Sequence, residues 1–160
     1  MKKFLIQFFL LIILITAAIV IYKMGNVVEV PFMPRPPKMI TLQINDSIIK
    51  AEVAETSSQR SKGLGGREQL ASNSGMLFVF EKSDKYPFWM KGLKFPLDFV
   101  WIKDDTVIDF LENIPPPSAA QVDSSLPIYS SKTEINKILE VNAGTVQRLN
   151  IKAGDKIKID

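Results

Sequence analysis

The sequence predicts an α+β, mainly β fold: a compact antiparallel, barrel-like domain with one or two short helices, preceded by a single transmembrane helix. Three observations lead to this prediction. The 160-residue chain begins with an apolar run that carries no charge between Phe4 and Tyr22. Most of the chain after residue 38 consists of short apolar or alternating runs separated by turn residues, which is typical of β-rich domains. One stretch near Thr56 carries the signals that start a helix.

The apolar run predicts a membrane anchor over residues 1–22. Its 19 uncharged residues would form a helix of about 30 Å, which matches the hydrocarbon core of a bilayer. A cleaved signal peptide is the alternative, although such peptides usually have a shorter apolar part. Lys2 and Lys3 favour an N-terminus in the cytoplasm, because basic flanks tend to stay inside. The predicted localisation is the cytoplasmic membrane, with a single pass and the soluble domain outside the cytoplasm.

Two segments follow the anchor. Residues 23–38 contain four prolines, which prevent a regular helix and favour an extended linker. Residues 39–160 are predicted to form a single extracytoplasmic β-rich domain. Its 122 residues are enough for one hydrophobic core.

Within this domain, residues 39–45 and 47–54 are predicted to form a hairpin, because Asn45 and Asp46 are residues that tolerate turn geometry. A short helix follows, since Thr56 and Gln59 have the spacing of a capping box and glycines end the segment near Leu64. A second helical turn is predicted over residues 145–149. Further strands are predicted over residues 76–80, 86–90, 97–103, 106–114, 137–142 and 156–159.

Composition excludes several classes of site. The chain has no Cys and no His, so disulfides, thiolate chemistry and zinc sites built on these residues are excluded. We predict no metal and no cofactor. The net charge is +3 for the whole chain, but only +1 once the two lysines of residues 1–22 are set aside. This small charge does not indicate nucleic-acid binding, which requires a clustered basic face.

Several short motifs occur in a characteristic order along the domain. They are VAET from Val53, GL from Gly63 with Arg67 following, GMLFVF from Gly75, FWMK from Phe88, PLD from Pro96, LEV from Leu139 and GD at Gly154. This order resembles domain-of-unknown-function family 192, also called uncharacterised protein family 0127, over about residues 40–160. The resemblance implies a compact β-rich domain that is often exported or membrane-anchored. It does not imply an established reaction.

The chain departs from this family at three places. Gly65 and Gly66 stand where the family usually has a larger apolar residue before its arginine. Gly92 and Leu93 replace the usual Asn-Thr after the Trp-Met-Lys motif. Many members also have a cysteine pair in the loop that lies here between residues 115 and 127. A redox role through that pair cannot apply to this chain, because it has no Cys.

Asp98 lies within a strand that is apolar on both faces. Side chains alternate along a strand, so Asp98 shares a face with Val100 and Ile102. A buried carboxylate needs a cation or hydrogen-bond donors. By motif position, Arg67 and Lys91 are the candidate partners, and Arg67 could bind the carboxylate through two parallel hydrogen bonds. Asp98 is therefore either a structural clasp or part of a ligand site.

Trp89 shares a predicted strand face with Lys91, whereas Phe88 and Met90 point the other way. A tryptophan beside charged groups suits the binding of sugars or planar ligands, by stacking together with hydrogen bonds. Such a tryptophan can equally be part of a core. Glu140 is a second carboxylate flanked by apolar residues, and it would form an acid/base pair if it met Asp98.

Three functional hypotheses follow. The first is a membrane-anchored extracytoplasmic domain that binds a small polar ligand, such as a saccharide. Its predicted ligand-binding residues are Arg67, Trp89, Lys91, Asp98 and Glu140. The second is a protein-interaction or envelope-assembly module without a ligand pocket. The third is a carboxylate-based hydrolase; we assign no catalytic residue and do not predict an enzyme.

Overall fold

The computed structural model describes residues 2–23, 36–118, 121 and 123–160. The chain divides into two units, Met1–Pro36 and Pro37–Asp160, which we describe separately. Most of the predicted linker, residues 24–35, lies outside the described residues. The predicted limits of the anchor, linker and domain stay predictions.

The first unit contains one helix, α1 (Lys2–Lys23). Between Lys3 and Tyr22 this helix is long and apolar enough to cross a membrane. Because it lies near the N-terminus, the same length and composition would also fit a signal sequence. The helix is thus a candidate anchor or signal.

The second unit is built around one seven-stranded sheet with the order β5-β4-β6-β3-β2-β1-β7. All neighbouring strands are antiparallel except β2 and β3, which are parallel. The predicted mainly β fold with few short helices is confirmed. The strands are β1 (Met39–Ile44), β2 (Ser47–Ala54), β3 (Ser74–Asp84), β4 (Leu97–Lys103), β5 (Thr106–Ile114), β6 (Ile135–Asn142) and β7 (Ile157–Ile159), and the helices are α2 (Ser57–Lys62), α3 (Thr145–Arg148) and a 3₁₀ turn (Asp123–Ser125).

The sheet curves so that its two outer strands approach each other. Thr106 at the start of β5 forms an antiparallel bridge with Lys156, just before β7. The N–H of Val107 donates to the carbonyl of Asp155 at 2.9 Å, and the N–H of Gly154 donates to the carbonyl of Val107 at 2.8 Å. These bonds join the edges at one end of the sheet, which makes the sheet a half-barrel and protects edge groups that would otherwise lack partners.

Helix α2 provides the crossover between the parallel strands β2 and β3. Its start is the predicted capping box: the Thr56 hydroxyl accepts from the N–H of Gln59, and the Gln59 side chain accepts from the N–H of Thr56. The chain leaves the helix at Gly63, which has a positive φ of 49°. The crossover therefore places the α2 C-terminus and the following glycines over one face of the sheet, against Phe78.

The two faces of the central strands pack in two separate hydrophobic clusters. Along β4, Val100 and Ile102 lie in the first cluster, whereas Phe99 and Trp101 lie in the second. The same alternation holds along β6, where Leu139 faces the first cluster and its neighbours face the second. The sheet is therefore covered on both sides at residues 75–78 of β3, 97–102 of β4 and 138–141 of β6.

One predicted strand is wrong. Residues 86–90 form no strand of the sheet, and Phe88 makes only an isolated bridge with Tyr129. Two backbone hydrogen bonds of 2.8 Å hold that bridge. The pairing cannot extend to the residue before Phe88, because Pro87 has no N–H to donate. The alternation inferred for this segment nevertheless holds: Met90 is buried, whereas Trp89 and Lys91 are exposed.

The close approach of β3 and β6 depends on Gly75. A Cβ at this position would lie 2.8 Å from the carbonyl oxygen of Glu140 and 3.0 Å from the Leu139 side chain. The oxygen belongs to the backbone of a paired strand, so it cannot rotate away.

We expect Gly75→Ala to lower the free energy of unfolding by roughly 1–3 kcal/mol, measured by urea titration. Ser74→Ala is the control and should change it by less than about 0.5 kcal/mol; equal stability of the two variants would contradict this packing.

Candidate functional site

Asp98 is fully buried on β4 and is held by backbone amides. Its Oδ1 accepts from the N–H of Asn113 at 2.8 Å, and its Oδ2 accepts from the N–H of Val146 at 2.9 Å. The register of β4 against β5 shifts between Leu97 and Phe99, so the β-bulge frees the Asn113 amide from the strand ladder. The second amide belongs to the first turn of α3. The carboxylate thus joins β4, β5 and α3.

The predicted partners of Asp98 are wrong, because Arg67 and Lys91 bind other carboxylates. The guanidinium of Arg67 binds Glu52 on β2 in the bidentate manner predicted for it, with Nη1 contacting Oε1 and Nη2 at 2.7 Å from Oε2. This contact, chiefly its hydrogen bonds, lowers the pKa of Glu52 and raises that of Arg67. The Lys91 Nζ lies 2.6 Å from an oxygen of Asp123. The structure therefore does not bring Arg67 or Lys91 to Asp98.

Asp98 and Glu140 also do not meet. Strands β4 and β6 pair with Asp98 opposite Val141, and with Phe99 opposite Glu140. The two carboxylates consequently point to opposite faces of the sheet, because facing residues share a side. Asp98 lies with the first hydrophobic cluster, and Glu140 lies on the side of the second. A hydrolase that uses this pair is therefore incompatible with the fold.

Glu140 lines a cavity of about 190 Å³, which we call the Glu140 pocket. The pocket lies between the sheet, the end of α2 and the segment after β3. Most of its wall is aromatic or aliphatic. It is lined by Arg60, Ser61, Lys62, Gly63, Phe78, Phe80, Tyr86, Pro87, Phe88, Trp89, Lys91, Leu93 and Glu140.

Glu140 is 4% exposed, and its side chain has no hydrogen-bond or ion-pair partner among the described residues. Burial raises its pKa from the ordinary 4.5 to about 8, because desolvation disfavours the charged form. No nearby cation opposes this effect. Glu140 is therefore a buried acid that holds its proton at neutral pH and faces a half-open, largely apolar pocket.

Of the five predicted ligand-binding residues, the structure brings together three. Trp89, Lys91 and Glu140 all line the Glu140 pocket. The Trp89 side chain is 44% exposed, so its ring is available at the mouth of the pocket. Arg67 and Asp98 do not line this cavity, and both serve as structural contacts.

The sequence reasoning missed the aromatic wall of the pocket. Phe78 and Phe80 alternate along β3, and Tyr86 and Phe88 alternate in the following segment. The rings contact one another: Phe78 and Phe88 meet edge-on at 4.9 Å between centroids, and Phe80 stacks on Tyr86 at 3.6 Å. Each pair is two residues apart, and the two pairs lie close together in the sequence. This pattern could have predicted the aromatic wall of the pocket.

The amide contacts of Asp98 generate a prediction about stability. Asp98→Ala removes the acceptor of two buried or partly buried N–H groups, which should cost roughly 2–4 kcal/mol of unfolding free energy. We expect Asp98→Asn to be more stable than Asp98→Ala but less stable than the wild type, because the NH₂ group of the asparagine would face one of the two N–H donors. Glu112→Ala, an exposed change on β5, is the control. Urea unfolding followed by tryptophan fluorescence measures the stability of all three variants. An Asp98→Ala variant as stable as the wild type would contradict a structural role for the two amide hydrogen bonds.

The raised pKa of Glu140 makes stability dependent on pH. Between about pH 4.5 and pH 8 the folded protein holds a proton that the unfolded chain has lost, so the free energy of unfolding should fall as pH rises. The total loss is on the order of a few kcal/mol. The lowered pKa of Glu52 acts below this window. Glu140→Gln should flatten the slope, measured by unfolding at pH 5 to pH 9, whereas Glu81→Gln, an exposed control, should leave it unchanged.

Comparison with known proteins agrees with this fold. A structure from Sinorhizobium meliloti, provisionally called a transcription regulator, is similar at a TM-score of 0.67 and 33% identity, over 79% of this chain and 96% of that one. A protein of unknown function from Novosphingobium aromaticivorans is similar at a TM-score of 0.65 and 28% identity, over 76% of this chain and 84% of that one. No curated protein matches. The model of the DUF192 family, described as "uncharacterized ACR", matches residues 40–159, and the chain belongs to this family.

Proposed function

We propose that this protein is a membrane-anchored domain that binds a small polar ligand in the Glu140 pocket. The observation that carries the proposal is Glu140 itself. Burying this residue, 4% exposed and without a partner among the described residues, costs free energy even when the acid keeps its proton, because its polar atoms lose hydrogen bonds to water. Burying an apolar residue there would avoid this cost, so the carboxylate has a use that the empty domain does not reveal. A ligand that supplies hydrogen-bond donors would be such a use.

The size and walls of the pocket limit the ligand. A cavity of about 190 Å³ is smaller than the ~300–1,000 Å³ of drug-sized sites, so it accepts one ring or a group of similar size. The aromatic walls and the exposed ring of Trp89 favour a flat apolar surface on that group. A saccharide ring combines such a surface with hydroxyl donors, and it is the first ligand class to test.

The place of binding depends on α1. If α1 is an uncleaved anchor with Lys2 and Lys3 on the cytoplasmic side, the domain lies outside the cytoplasm and samples ligands there. A signal sequence that is removed would release the same domain. Both arrangements put the Glu140 pocket outside the cytoplasm, so the ligand would be an envelope or environmental compound.

A protein-interaction role is the second candidate, because apolar side chains are exposed beside the pocket. Trp89 and Ile128, exposed at 44% and 68%, line an adjoining hollow together with Leu126. Exposed apolar groups placed side by side are typical of sites that contact a partner. On this hypothesis Trp89 would be buried by the partner, and the Glu140 pocket would stay empty.

A ligand screen on the full-length protein in uncharged detergent tests the proposal. We expect at least one ring-sized polar compound, from a panel of monosaccharides, polyols and small amines, to raise the melting temperature and quench tryptophan fluorescence. Trp89→Ala should keep its fold, because the side chain is half-exposed, but should weaken binding about ten-fold or more. Leu111→Ala, an exposed apolar control on β5 that does not line the pocket, should bind normally.

Two results would overturn the proposal. One is the failure of every compound in the panel to bind the wild type. The other is binding that Trp89→Ala does not change, since the ligand would then lie elsewhere.

A further inference from the structure

Among the residues that the structure describes, Glu140 has no counter-charge, although cations line its pocket. The Nη1 of Arg60 donates to the carbonyls of Glu55 at 2.7 Å and Val79 at 3.0 Å. The Nζ of Lys91 is paired with Asp123. These cations are therefore engaged with other groups.

The remaining cation that lines the pocket is Lys62, at the end of α2. Its charge helps to lower the pKa of Glu52, and it forms no ion pair with Glu140. Thus none of the basic side chains that line the pocket compensates the Glu140 carboxylate. The empty pocket therefore keeps Glu140 protonated. No basic side chain of its lining supplies the positive charge that would let this acid ionise, so that charge would come from the ligand.

The walls around Glu140 suit a cation. Ring faces attract ammonium and guanidinium groups through their quadrupole, most strongly where water is excluded. One ring of this wall already binds a cation, because the guanidinium carbon of Arg60 lies 5.0 Å from the centroid of Phe80. Phe78, Phe88 and Trp89 provide further rings on the same cavity. An aromatic enclosure with one carboxylate is the arrangement that recognises organic ammonium groups.

A metal ion would not fit this donor set. Calcium takes six to eight oxygen ligands, and magnesium requires a near-octahedral set. Glu140 is the only carboxylate among the residues that line the pocket. In the part of the chain that the structure describes, no group of three or more acidic residues is placed to hold a metal. The cation that the carboxylate would accept is therefore organic.

We infer that the ligand of the Glu140 pocket is a primary amine, whose ammonium group donates hydrogen bonds to the Glu140 carboxylate and lies among the rings of Phe78, Phe88 and Trp89. This inference rests on the proposed function and specifies its ligand class. A primary ammonium fits better than a quaternary one, because only N–H groups can satisfy the two carboxylate oxygens. A body of one ring's size fills the cavity, and any polar remainder of the ligand extends past Trp89 to the solvent.

Benzylamine and benzyl alcohol test the inference, because they have the same shape and differ in charge. We expect the full-length protein in uncharged detergent to bind benzylamine at least ten-fold more tightly than benzyl alcohol at pH 7.5, measured by calorimetric titration. Benzyltrimethylammonium, which has the charge but no N–H, should bind more weakly than benzylamine. Glucose and N-acetylglucosamine are titrated in the same way, as neutral sugars to be compared with benzylamine.

Glu140→Gln is the informative variant, because it keeps the shape of the side chain and removes the acid that an ammonium ligand would cause to ionise. It should abolish the preference for benzylamine and leave the affinity for benzyl alcohol within about three-fold of the wild-type value. Partition of the probes into detergent is the same for both proteins and cancels in this comparison. Glu81→Gln removes an exposed carboxylate of β3 that does not line the pocket, and it should keep the full preference.

The outcomes separate this inference from the proposed function. If a sugar or benzyl alcohol binds in a manner that requires Trp89 while benzylamine shows no advantage, the pocket binds a neutral ligand and the amine inference is wrong. A preference for benzylamine that survives in Glu140→Gln would also overturn it, since the charge would then act elsewhere. If none of the probes binds, the inference fails; the wider ligand screen then decides separately whether the proposed function survives.

Discussion

The burial of both faces of the sheet at residues 75–78 of β3, 97–102 of β4 and 138–141 of β6 is the constraint on which the rest of the structure depends. A strand segment in this position has no solvent side, so every polar side chain on it must find a partner inside the domain or remain unpaired. Two carboxylates lie on these buried segments. Asp98 is on β4 and Glu140 is on β6, and the register puts them in adjacent rows but on opposite faces. Burial therefore acts on both carboxyl groups, Asp98 on one face of the sheet and Glu140 on the other.

The surroundings differ in the supply of backbone donors. On the first face, the bulge of β5 and the first turn of α3 each direct an amide at Asp98. A carboxyl group that accepts two amide hydrogen bonds is stabilised without any cation. On the second face, no amide or side chain among the described residues bonds to the Glu140 carboxyl group, and burial alone raises its pKa to about 8. One acid consequently contributes to the stability of the fold, whereas the other reduces it. A group that reduces stability and lines a cavity is the better candidate for binding.

The local features of this fold could be predicted from the sequence, but its strand order could not. The limits of β4 and β5 match their predicted limits, because Asp104 at the turn accepts the positive φ of 56° that joins them. The capping box at Thr56 was equally local. By contrast, β6 lies between β3 and β4 in the sheet. Local sequence patterns do not predict pairing between strands that are so distant in sequence. The predicted contact of Asp98 with Arg67 or Lys91 failed for this reason. Trp89, Lys91 and Glu140 were identified as polar or aromatic exceptions in apolar segments, yet only the tertiary structure brings them to one cavity.

The departures from the DUF192 pattern at Gly65 and Gly92 meet in space and act as one structural change. A Cβ at Gly65 would lie 3.3 Å from the carbonyl of Lys91, which is tighter than most side chains tolerate. The N–H of Gly66 donates to the carbonyl of Gly92 at 2.8 Å, and Gly92 has a φ of +69° that a side chain would strain. The two loops thus approach backbone to backbone, with Gly65 leaving room for the Lys91 carbonyl and Gly92 supplying the positive φ. Lys62 and Lys91, which flank this contact, line the Glu140 pocket. A side chain at Gly65 would press on the backbone of both lysines, so this glycine helps to set one side of the pocket.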